Sequence, residues 1–112
     1  MGETRFVSLP VPECVKRIDE AIVDGSITGE RLDRYALTEG GKHYCTAMYE
    51  KYYYRAGNRL TLTVTADDLT GKTRLHWISA GGGNNVFWRF DWGAAESFDG
   101  VVRAAMEPYF IE

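Results

Sequence analysis

Residues 59–79 read RLTLTVTADDLTGKTRLHWIS, and the fold depends on how the middle of this stretch is taken. Ala66 to Thr73, ADDLTGKT, fits a relaxed phosphate-loop pattern: Ala or Gly, any four residues, then Gly-Lys-Thr. A working loop of that kind lies between a buried strand and a helix, whose N-terminal N–H groups surround the phosphates. The strand is present: Leu60, Leu62 and Val64 alternate with Thr61, Thr63 and Thr65, the pattern of a half-buried strand. The helix is not. Thr73-Arg74-Leu75-His76-Trp77-Ile78 is rich in β-branched and aromatic residues and runs into a Gly-rich break at Gly81, which leaves no room for a helix of ordinary length. Asp67 and Asp68 also put two carboxylates where an anion would sit. The stretch therefore predicts a hairpin, in which Asp67 to Lys72 join two antiparallel strands and hold no phosphate.

Towards the N-terminus, His43 to Tyr54 is dense in aromatics and long enough for an extended strand, joined to the next by Arg55-Ala56-Gly57-Asn58. With a two-residue turn, Tyr49, Lys51 and Tyr53 share a face with Leu60, Leu62 and Val64; with three, Tyr52 and Tyr54 do. Arg31 to Thr38 reads as a further strand, closed by the turn Glu39-Gly40-Gly41-Lys42. Before it, Val15, Ile18 and Ile22 with Ala21 form a helical stripe over Glu13 to Asp24. Pro12 suits the first turn of that helix and Gly25 a left-handed end. Thr4 to Leu9 predicts a short first strand.

Towards the C-terminus, Val86 to Asp91 predicts a strand beyond the Gly-rich loop Ala80 to Asn85. Phe98, Val101, Val102, Ala105, Met106 and Tyr109 then make one stripe of a helix over Ala94 to Tyr109, with Glu96 favourable near its start and Pro108 ending or bending it. The expected class is α+β: two layers, an antiparallel sheet of about five or six strands and two helices on one face, in the order β-α-β-β-β-β-β-α.

A chain of 112 residues makes one domain, residues 1–112, large enough for a core without disulfides or metal. Its apolar runs are too short to span a bilayer, so no membrane is expected as a partner. MGETRFVSLPVPECVKR lacks the pattern of a secretory signal, and the expected location is cytoplasmic. Cys14 and Cys45 are then expected to be buried thiols. A net charge of -3 with scattered basic residues argues against nucleic acid as a partner.

Candidate chemistry is sparse. Gly81, Gly82 and Gly83 allow close approach by a ligand, with Asn84 and Asn85 as amide donors and acceptors and Arg89 as an anion contact. His43 and Cys45 are two apart and suit one face as metal ligands, but His76 lies two strands away, about 9.6 Å at about 4.8 Å per strand. No metal or other cofactor is therefore expected. Glu50, Asp91 and Glu96 are carboxylates that no linear spacing pairs for acid–base work, and no catalytic residue is assigned. The tyrosines, Tyr52 and Tyr54 among them, with Trp88 or Trp77, suit an exposed aromatic sheet face that serves as a ligand surface or a subunit interface.

The segments YEKYYYRAGNRLTLTVT, from Tyr49, and SAGGGNNVFWRFDWGAAESF, from Ser79, together resemble a bacterial family known only as a domain of unknown function. The resemblance covers most of the chain and implies no activity, cofactor or catalytic residue. The expected function is that of a non-catalytic interaction or small-ligand-binding domain that uses the sheet face as a homo-oligomer. A small enzyme or metabolite sensor with its pocket at Gly81 to Asn85 is the alternative.

Overall fold

The structure, a computed structural model, describes residues 2–53, 57–81 and 92–111. Strand β1 spans Glu3–Val7 and helix α1 Val11–Asp19, followed by a π-helical turn over Glu20–Asp24. Four strands then run in succession: β2 Glu30–Glu39, β3 Lys42–Tyr53, β4 Asn58–Asp67 and β5 Thr73–Gly81. Helix α2 spans Trp92–Met106, a 3₁₀ turn Glu107–Tyr109, and β6 Phe110–Ile111 closes the chain. The six strands form one antiparallel sheet in the order β2-β3-β4-β5-β1-β6. The expected α+β architecture stands, and both helices lie on one face.

The turns are built from their residues. Gly40 and Gly41 both have positive φ, 57° and 80°, the pair of angles that a tight two-residue hairpin needs and side chains resist. ADDLTGKT does connect β4 to β5. Four residues separate Tyr53 from its partner Asn58, the same parity as a two-residue turn. Tyr49, opposite Leu62, and Lys51, opposite Leu60, therefore share the helix-side rows, while Tyr52 faces the other way.

The core fills the space between the helices and that side of the sheet. Val11, Cys14, Val15, Ile18 and Ile22 descend from α1 and the turn after it, and Phe98, Val102 and Met106 from α2. Cys45, Ala47 and Tyr49 of β3, Leu60, Leu62, Val64 and Ala66 of β4, and Leu75 and Trp77 of β5 meet them. Each large apolar side chain buried here contributes about 1.5–3 kcal/mol. Both cysteines are buried free thiols.

Some expectations need correction. Gly25 has φ -88°, not a left-handed angle. Its N–H donates to the Glu20 carbonyl at 3.1 Å, the wide spacing of the π turn, and a Cβ there would lie 2.4 Å from the Ala21 oxygen. Glycine is needed for room, not for φ. Helix α2 gives way to the 3₁₀ turn at Glu107, as Pro108 demands. The chain then returns beside β1, where Phe110 stacks on Trp77 with centroids 6.4 Å apart. That last strand has only two residues, too few for any periodic signal. The strand expected over residues 86–91 lies outside the described residues. Among the described residues no helix is long and apolar enough to cross a membrane.

Candidate functional site

Because strand side chains alternate, the residues between the core positions form a second face that neither helix touches. The pairing registers arrange this face in rows. One row runs Tyr35, Thr46, Thr65, His76, Thr4; the next runs Leu37, Tyr44, Asp67, Arg74, Phe6, Ile111. On the other side of the first lies Asp33, Met48, Thr63, Ile78. Tyr35 and Leu37 are about half exposed, at 54% and 51%, and Met48, Ile78 and Ile111 are exposed as well. Strand β2 is exposed along its whole length, for it is an edge strand that pairs with β3 alone, although it also meets the π-helical turn.

The polar groups of this face are largely satisfied within it. Arg59 Nη1 donates to Glu50 Oε1 at 3.1 Å and Arg74 Nη2 to Asp67 Oδ1 at 3.3 Å. Thr46 and Thr65 share a hydrogen bond of 3.0 Å between hydroxyls, and Thr4 Oγ1 lies 2.7 Å from His76 Nδ1. Cations also cover rings: the Arg59 guanidinium lies 6.0 Å from the Tyr52 ring and Lys72 Nζ 5.6 Å from that of Phe6. A face so arranged can lose water with few charges stranded, Asp33 near its β2 edge being without an ion pair among the described residues, and unpaired buried charges are what make polar surfaces costly to cover.

Two polar groups lie on the helix side. The buried phenol of Tyr49 donates to Asp19, whose other oxygen accepts from Arg31 Nη1 at 2.8 Å. Burial, then the hydrogen bond and charge of Asp19, push the Tyr49 phenol up against the opposing pull of Arg31. Under α2, burial raises the Asp99 carboxyl although hydrogen bonds from Ser79 oppose it, and burial with Asp99 pushes the Tyr53 phenol up to about 12. Ser79 is thus partnered by a carboxyl and not by an imidazole.

Among the residues expected at a site, Tyr52 lies on the open face beside Arg59. Tyr54, Gly82, Asn84, Asn85, Trp88 and Arg89 lie outside the described residues, as do Gly83, Asp91 and the Glu96 side chain. Trp77 does not join the tyrosines: it is opposite Val64 in the helix-side row and fully buried. Cys45 is buried under the helices, His43 bonds to Asp68, and His76 is on the open face, so these three do not converge. Glu50 is in an ion pair. Tyr35, Leu37, Met48 and Ile78 were not singled out by sequence. The alternation of Tyr35 and Leu37 in β2 was a signal, but it does not tell which face a helix covers.

Residues 3–110 match the model of DUF6054, described as a family of unknown function, and the chain belongs to that family. No curated protein matches it.

Proposed function

We propose that this member of DUF6054 is a non-catalytic, cytoplasmic interaction domain whose open sheet face pairs with a second copy of the chain. The observation that carries the reading is an uncovered face with exposed Tyr35, Leu37, Met48 and Ile78 among polar groups already bonded to one another. At about 3.3 Å per residue along strands and about 4.8 Å between them, six strands of these lengths offer roughly 750 Å² of plane. An ordinary stable interface takes roughly 800 Å² per partner. A second copy suits the face because Glu50 with Arg59 and Asp67 with Arg74 leave little charge for an oppositely charged partner to answer. Two free thiols, Cys14 and Cys45, suit a reducing compartment.

Analytical ultracentrifugation over the micromolar range tests the pairing. The wild type is expected to sediment as a dimer, and Tyr35→Glu with Ile78→Lys to be monomeric with an unchanged circular dichroism spectrum. A monomeric wild type, or a dimer that survives both substitutions, overturns the proposal.

A further inference from the structure

Strand β2 ends the sheet on one side, ten residues long and paired with β3 alone. Gly40 and Gly41 form a two-residue turn, and the residues flanking such a turn, Glu39 and Lys42, exchange both of their backbone hydrogen bonds. Bonded and non-bonded pairs alternate from there. Leu37 and Tyr35 therefore also bond to β3, while the N–H and C=O groups of Thr38, Ala36 and Arg34 point out of the sheet. His43, opposite Thr38, bears out the alternation. Its N–H donates to Asp68 Oδ1 at 2.6 Å and its carbonyl accepts from the Asp68 N–H at 3.1 Å, both on the side away from β2. Among the described residues nothing takes up the outward backbone groups of Arg34, Ala36 and Thr38.

Sheet edges are blunted against further pairing by charges, prolines and bulges. On β2 these devices sit at its start, where Glu30, Arg31, Asp33 and Arg34 surround a bulge between Arg31 and Asp33. The stretch Tyr35-Ala36-Leu37-Thr38 carries neither charge nor proline and is exposed throughout. Tyr35 and Leu37 lie on the open face, and Ala36 and Thr38 on the helix side.

We propose that β2 pairs antiparallel with β2 of a second copy of the chain, about a two-fold axis at Ala36 that continues the sheet from one molecule into the next. The outward groups are symmetric about Ala36, so this register alone pairs all of them: Ala36 with Ala36, and Arg34 with Thr38 on both sides of the axis. The side chains agree. On the open face Tyr35 lies against Leu37 of the second copy, an aromatic–aliphatic cross-strand pair that occurs twice. On the helix side the small Ala36 meets itself, and Arg34 meets a neutral threonine. A slip of two residues towards the start of β2 loses one backbone pair and sets Leu37 against Asp33. The edge is thus its own complement, which is the reason a second copy fits it. Five residues are only about 16 Å of strand, and such a contact is weaker than one that covers a whole face. Asp33 opposite Glu39 of the second copy at either end weakens it further. The pairing belongs to high protein concentration and does not depend on that of the open face.

Hydrogen exchange of the isotope-labelled full chain, followed by NMR at about 20 μM and about 1 mM, tests this. The Arg34, Ala36 and Thr38 amides should exchange about threefold more slowly at the higher concentration, whereas those of Tyr35 and Leu37, already bonded to β3, should not change. Ala36→Pro removes an N–H that β3 does not use, so the strand should persist and the protection of Arg34 and Thr38 should vanish. Asp33→Lys makes the end contacts attractive and should increase the protection, whereas the same change of charge at exposed Glu107, beside β6, should not. Ile78→Lys, three strands from β2, removes pairing of the open face and leaves the edge intact, so the amide pattern in that protein separates the two contacts. Circular dichroism confirms that each variant is folded. Unprotected exchange of the three amides at the higher concentration, protection that survives in folded Ala36→Pro, or an effect of Asp33→Lys no greater than that of Glu107→Lys overturns the proposal.

Discussion

Replacing Tyr49 by Phe removes one oxygen from the interior and almost nothing else. The ring is fully buried between β3 and the helices, so its packing is retained, and the lost group is the hydroxyl that donates to Asp19. A hydrogen bond to a charged acceptor contributes about 1.5–3 kcal/mol when its partner cannot be resolvated. The Asp19 side chain is 21% exposed and keeps Arg31, so water offsets part of the loss. We expect destabilisation of about 1–2 kcal/mol at neutral pH, or roughly 4 °C in Tm for each kcal/mol in a chain of this length. Urea titration gives the free energy, and a double-mutant cycle with Asp19→Asn should give a coupling of about 1 kcal/mol. The pH dependence supplies a second readout. The Tyr49 phenol is raised in the folded protein, chiefly by burial, while an unfolded tyrosine ionises near about pH 10. The unfolded chain therefore loses that proton first, and the stability due to Tyr49 is complete below about pH 10 and declines as pH rises above it. Tyr49→Phe lacks this decline, so the gap between the two proteins should narrow in alkali. A loss below about 0.5 kcal/mol, or additivity with Asp19→Asn, would refute the reasoning.

Cys14 lies fully buried, and burial, then the nearby Cys45, pushes its thiol up to about 12. Thiolate is the reactive form, so a disulfide reagent at mildly alkaline pH should label Cys14 only as fast as the protein unfolds; rapid labelling of native protein would contradict this. Leu62→Ala opens a cavity in the central strand beneath both helices and should cost about 2–5 kcal/mol by chemical denaturation, with a loss under about 1 kcal/mol showing that the site collapses or is less buried than described.

Much of the architecture was legible because it rests on local physics. Alternation in Leu60, Leu62 and Val64 marks a strand wherever it ends up, and Gly40-Gly41 marks a turn because few residues accept positive φ. The stripe of α1 is equally local, and Pro108 stops α2 without help from elsewhere. By contrast, β6 is two residues long and exists only because β1 offers it an edge. The π turn after Asp19 could not be anticipated either, since the stripe from Val15 to Ile22 fits an α-helix as well. The candidate surface was read in part: an exposed face was expected, but Tyr49 is core and Tyr52 is not, a distinction that turns on one residue of register.

The sequence by itself determined the classes of element, the hairpin at Asp67 to Lys72 and the rejection of a phosphate loop, because each depends on residues within a few positions of one another. Only the tertiary structure decided that β1 joins β5, that Trp77 is buried while His76 is exposed, and that Asp68 holds His43 from 25 residues away. Those outcomes depend on which strand edge and which face the helices leave open, and no local pattern encodes that choice.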